Sequence, residues 1–159
     1  MKIKIIIGVA VLVVLGVAAF VVTGDGKSAT EEQMDRMRGT DAYYAHSVEM
    51  VKEDPYGGGE IMTNLMDNKM LKLRFDVKYQ IGLDWGDDFG PAQAAFDAAA
   101  ADIKSELFTR LRAKRSVDLV GLELRVFKEE MIEMIDGIVF PKRYGRVTKF
   151  LIKDLIIQG

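Results

Sequence analysis

The sequence predicts an α+β protein, with an N-terminal transmembrane helix followed by one two-layer domain in which helices pack on a mostly antiparallel sheet. Three observations carry this. Residues 3–22 form an apolar run with Lys4 as its only charge. Residues 71–81 alternate strictly between apolar and polar side chains, as a strand with one buried face does. Residues 91–112 and 122–138 each carry an apolar stripe at helical spacing, between that strand and a closing one.

The opening run sets the compartment. Its apolar side chains, among them Ile3, Ile7, Leu12, Leu15, Phe20 and Val22, continue for twenty residues, which as a helix reach about 30 Å, the thickness of a bilayer's hydrocarbon core. A cleaved signal peptide is the alternative, with Lys2 and Lys4 as its basic start, but its apolar stretch is usually about 7–15 residues long. No cysteine follows, which excludes a lipoprotein anchor. Lys2 stands before the run and Lys4 at its start, while Asp25, Lys27, Glu31 and Glu32 follow it, so the positive-inside bias favours an N-terminus in the cytoplasm.

Of 159 residues, those beyond the anchor and its tether suffice for one core. A net charge of -2 provides no field for nucleic acid, and the absence of cysteine removes disulfides and thiolate metal sites. We divide the chain into residues 1–22, a cytoplasmic tip and transmembrane helix; 23–59, a juxtamembrane linker containing a helix; and 60–159, the folded domain.

After the anchor, Gly26-Lys27-Ser28 copies the end of a phosphate-binding loop, but the first glycine of that motif would fall on Val21, inside the apolar run. Residues 30–38 predict a helix, with Thr30 as cap and Gly39 as stop. In residues 41–53, Tyr44, Val48 and Val51 fit a helical stripe, with an extended strand as the alternative, and the lone His46 within them lacks partners for a metal or a catalytic triad. Asp54-Pro55-Tyr56-Gly57-Gly58-Gly59 reads as a loop, residues 60–66 as a strand, and Asp67-Asn68 as the turn into the 71–81 strand.

The loop at residues 82–90 carries Asp84, Asp87 and Asp88 but fails the EF-hand pattern, so it reads as a turn whose Trp85 and Phe89 fold back onto the core. Pro91 suits the first turn of the next helix. Lys104, Arg110, Arg112, Lys114 and Arg115 crowd that helix's far end; they complement the helix dipole or, alternatively, form a partner or self-association surface. In residues 122–138, Leu124, Phe127, Met131, Met134, Ile135 and Ile138 share one side, and the methionines read as gap-filling core. Residues 146–158 close the domain, with apolar residues in both phases after Phe150, the pattern of a strand covered on two sides.

No residues form a recognisable catalytic set, so we expect no enzyme, no cofactor, no metal and no small-molecule substrate.

Several stretches resemble a known family. Thr63-Asn64-Leu65 with Met70-Leu71-Lys72-Leu73, Ile103-Lys104-Ser105-Glu106-Leu107 with Asp118-Leu119, and above all Glu130-Met131-Ile132, Ile135-Asp136 and the run from Gly145 to Gln158 are similar to motifs of the flagellar basal-body-associated FliL family. The likeness extends over about residues 61–158 in order and spacing. It implies a stomatin-like periplasmic domain on a single-pass bacterial inner-membrane protein, forming a ring with itself around flagellar stator proteins and supporting torque and swarming. Two other readings stand beside it: a membrane-tethered stomatin-like scaffold unrelated to flagella, and a small periplasmic sensor or ligand-binding module.

Overall fold

The computed structural model describes residues 29–159. The predicted anchor and the Gly26-Lys27-Ser28 stretch lie outside the described residues, and among those described no helix is long and apolar enough to cross a membrane. The chain divides after Met37. Before that point lies helix α1, Ala29–Met37, with Glu31 and Glu32 in its first turn and Arg36 in its last, the arrangement that the helix dipole favours.

The compact unit runs from Arg38 to Gly159. Its elements are α2 (Asp41–Tyr44), β1 (Met50–Lys52), β2 (Ile61–Asn64), β3 (Met70–Ile81), a 3-10 turn at Leu83–Trp85, α3 (Gly90–Arg112), a second 3-10 turn at Ser116–Leu119, α4 (Gly121–Val139) and β4 (Gly145–Gln158). The ambiguous 41–53 segment thus resolves into both of its alternatives, a short helix and then a short strand.

β3 is the spine of the sheet, and all of its pairings are antiparallel. β4 follows one edge from end to end, Met70 opposite Gln158 and Ile81 opposite Gly145. On the other edge β2 covers Met70–Leu73 and β1 covers Val77–Tyr79, so two short strands lie in line along one long one. Leu71, Leu73, Phe75, Val77, Tyr79 and Ile81 are all buried, as their alternation predicts.

The helices cover that face. α3 buries Phe96, Ala99, Ile103, Leu107 and Leu111, spaced three or four apart, and α4 buries Phe127, Met131, Met134, Ile135 and Val139. Val139 takes the buried place expected of Ile138, a shift of one position at the end of the helix; Ile138 and Leu124 pack at the rim of the core. Trp85 and Phe89 also lie against the core, Trp85 beside Phe140 and Tyr144 and Phe89 edge-on to Tyr79.

Two expectations change. The Tyr56 loop does not separate a linker from a domain: Tyr56 is buried, its ring centroid lies 4.8 Å from that of Phe75, and its hydroxyl donates to the Gly59 carbonyl at 3.0 Å. Nor is β4 covered on two sides. Lys153, Asp154 and Ile156 are exposed, and the helices pack on one face only. Two register shifts explain the misleading pattern. Phe75 faces Ile152 while Arg74 faces Asp154, so Lys153 is an extra residue that flips the phase of everything after it. Phe150, Ile152, Leu155 and Ile157 therefore share the inner face, and Leu151 and Ile156 the outer one.

Four buried tyrosines make the domain alkali-sensitive. Burial raises the hydroxyls of Tyr43, Tyr44, Tyr56 and Tyr79 above the ordinary tyrosine range, that of Tyr56 to about 12. A group whose folded pKa exceeds its unfolded one stabilises fully below the unfolded value and loses that contribution as pH rises through the folded one. Stability should hold up to about pH 10 and then fall steeply, read as denaturant midpoints from pH 7 to 12. A flat profile to pH 12 would refute the assignment.

Candidate interaction surfaces

The entry into the domain is fixed by a polar clasp. Gly39, at φ +85°, turns the chain after α1 in a conformation that favours glycine, and a Cβ there would strike the Arg143 guanidinium. Beside it, Arg38 makes a two-pronged contact with Asp84, Nε to Oδ2 at 3.0 Å and Nη2 to Oδ1 at 3.1 Å, and its guanidinium lies 4.4 Å over the Tyr144 ring. The Tyr43 hydroxyl donates to the same carboxylate. Gly82 makes room for this, since a Cβ there would overlap the Tyr43 ring.

Tyr44 anchors the next turn by donating to the Arg143 carbonyl at 2.8 Å, with the Arg146 guanidinium 4.5 Å above its ring. His46 is exposed, and its Nε2 lies 3.0 Å from the Gly86 carbonyl, a surface contact between two turns. The clasp thus joins residues 38–46 to the loop after β3 and to the link between α4 and β4.

The Arg38 guanidinium holds the Asp84 carboxyl below its usual range, against the opposing effect of burial. A lowered folded pKa stabilises above the unfolded value and is lost as pH falls, so this contribution fades below about pH 4. Asp84→Ala leaves the fully buried Tyr43 without its acceptor and Arg38 without its counterion; with both members of the ion pair about one quarter exposed, the expected loss is about 2 kcal/mol. Chemical denaturation at pH 7 measures it, and a loss close to zero would show the clasp to be ornamental.

The five basic residues differ in their local partners. Arg110 bonds Glu106 at 2.9 Å, and Lys114 pairs with Glu130 at 2.6 Å. Arg112 sits 5.9 Å over the Phe108 ring, Lys104 is half-buried along α3, and Arg115 supplies the backbone N–H that the Asp118 carboxylate caps at 2.7 Å. Two of the five charges are thereby offset within the domain.

The open face of the sheet is a ladder of opposite charges. Lys72 meets Glu60 at 2.6 Å, Lys153 meets Asp76 at 2.9 Å, Lys78 and Lys149 share Glu49 at 3.4 Å each, and Arg146 meets Asp41 at 2.6 Å. Apart from Lys153–Asp76, whose carboxylate is buried, these part-exposed pairs contribute little stability but make a well-hydrated surface. At one end the ladder gives way to Met62, Met70 and Ile156, each more than 40% exposed. Met62 and Met70 line a shallow depression of about 420 Å³ with Arg112 at its margin.

A broader depression, about 750 Å³, lies between α3 and α4, over Met134 and Ile138 with Asp102, Glu106 and Glu133 around it. Among the described residues no group of three or more histidine or acidic side chains is placed to hold a metal ion. Both depressions are open to solvent, with polar groups along their walls. No protein-family model matches the chain, and no curated protein matches it.

Sequence periodicity gave no sign of the clasp. Arg38, Tyr43 and Asp84 lie far apart in the chain and outside any amphipathic stripe. The one hint was compositional, two adjacent tyrosines in an otherwise polar stretch.

Proposed function

We propose that this chain is a non-enzymatic, single-pass inner-membrane protein of the bacterial flagellar basal body whose periplasmic domain associates with the stator and supports torque. The resemblance over residues 61–158 supplies the flagellar setting. The observation that carries the reading is the clasp. With Arg38 fixed to the domain, only residues 23–37 separate the domain from the end of the apolar run. Residues 23–28 fully extended plus the nine-residue α1 reach at most about 35 Å.

A domain so tethered works in a thin layer at the bilayer surface. Confinement raises its effective concentration toward integral partners, so weak contacts through the charge ladder and its apolar end suffice for association. No catalytic group is needed for such a role.

Deleting the gene should slow swimming under viscous load and abolish swarming while filaments still assemble, and the full-length protein should co-purify with the stator from membranes. Unimpaired swarming in the deletion, or purification free of motor proteins, would overturn the flagellar assignment.

A further inference from the structure

β4 is fourteen residues long and bonded to β3 along one edge; its other edge meets no strand among the described residues. At its start that edge is closed by side chains. The Tyr44 hydroxyl lies 3.3 Å from the Gly145 carbonyl, and the Val147 N–H donates to the Asp136 carboxylate at 2.6 Å. From residue 149 to 158 no comparable cap is present among the described residues, and a bare edge of this length recruits another strand unless something blocks it.

Its own sequence supplies the complement. We propose that β4 pairs edge to edge and antiparallel with β4 of a second copy, about a two-fold axis between Lys153 and Asp154. In this register Lys153 of each copy faces Asp154 of the other, Ile152 faces Leu155, Leu151 faces Ile156 and Phe150 faces Ile157. The extra residue at Lys153 decides which registers are allowed. Because it flips the side-chain phase, Ile152 and Leu155 share the inner face and Leu151 and Ile156 the outer one, so apolar partners meet on both sides of the joined sheet.

Sliding by one residue sets inner-face residues against outer-face ones. Sliding by two in one direction puts Asp154 opposite Leu151 and Lys149 opposite Ile156, and in the other puts Lys153 opposite Ile156 and Asp154 opposite Leu155, so either slide gives up both Lys153–Asp154 pairs. Charge and phase together thus select one register. A bulge ordinarily turns an edge away from regular strands, but the two-fold axis sets each bulge against its own copy, so the two distortions coincide.

The charges are available. Asp154 is exposed and forms no ion pair among the described residues, while the Lys153 ammonium, 2.9 Å from Asp76, has further N–H groups to offer. Along the same strand end, Val117 and Val120, both more than half exposed, line a depression of about 300 Å³ with Ile157, adding apolar surface on the helical side. This contact closes at two copies and is independent of the stator assignment.

The chain has no cysteine, so introduced thiols report cleanly. Full-length Leu151→Cys and Ile156→Cys chains are expressed together in membranes and mildly oxidised. Opposed residues in an antiparallel ladder lie about 4.5–5.5 Å apart at Cα, within a disulfide's reach, whereas the two copies of either residue alone lie about 17 Å apart. The mixture should cross-link about tenfold faster than either variant alone, since only it holds paired thiols at high effective concentration. Equal rates, or none in the mixture, would overturn the proposal. A second arm needs no substitution: carbodiimide treatment of mixed isotopically light and heavy wild-type chains should yield a light–heavy amide between Lys153 and Asp154. Its absence would likewise overturn the pairing.

Discussion

A chain shortened to begin at residue 60 is expected to lose its cooperative thermal transition, while one that begins at Arg38 keeps it. The composition of residues 23–59, rich in glycine and charge, suggests a dispensable tether. The structure places Tyr43, Tyr44 and Tyr56 of that stretch among the buried residues, at no more than 2% exposure each. Burying an aromatic or aliphatic side chain of this size contributes about 1.5–3 kcal/mol, so three of them approach the 5–15 kcal/mol by which a whole domain is stable. The cut also removes β1, which covers Val77–Tyr79, and the Asp54 N–H that reaches the buried Asp76 at 3.0 Å. Circular dichroism melts of the two truncations decide the matter. A sharp melt of residues 60–159 near that of 38–159 would mean that the tyrosines decorate a core complete without them.

Phe75→Ala should be the most damaging single substitution in the sheet. Phe75 is fully buried, stacked at 4.3 Å on Phe150 and 4.8 Å from Tyr56, so its ring joins β3 to β4 and to the loop between β1 and β2. Removing it leaves a cavity whose walls belong to three segments, and phenylalanine truncations of this kind cost about 3–5 kcal/mol. For a domain of this size the Tm should fall by roughly 15–20 °C. Phe75→Leu, which keeps most of the volume, should recover a large part of that loss. A fall of only a few degrees for the alanine variant would mean that the site collapses freely, which contradicts the packing described.

What could be read from the sequence was what repeats with a short period. The alternation in residues 71–81 located β3 and its buried face, and the stripes from Phe96 to Leu111 and from Phe127 to Ile135 located both helices and the sides they bury. Local periodicity works there because each element contacts the core through one regular face. It failed where one residue breaks the period. The extra Lys153 puts apolar side chains in both phases of β4, which imitates burial on two sides although one face is open. It was also silent about Arg38, Tyr43 and Asp84, which meet only because β3 and the chain entry come together in space. Tyr44 and Asp136 were hidden for the same reason: their roles at the start of β4 depend on contacts across the chain, not on neighbours in sequence.

The functional account depends on the domain being held at the bilayer by residues 3–22 through a reach of about 35 Å. Peptide mass mapping of the endogenous protein, after cell fractionation and a high-salt and urea wash of the membranes, tests this directly. The protein should remain wholly with the membranes and yield peptides that include residues 3–22. Recovery of a washed-off or freely soluble form that starts beyond residue 22 would contradict it, because a released domain has no means of staying beside an integral motor partner.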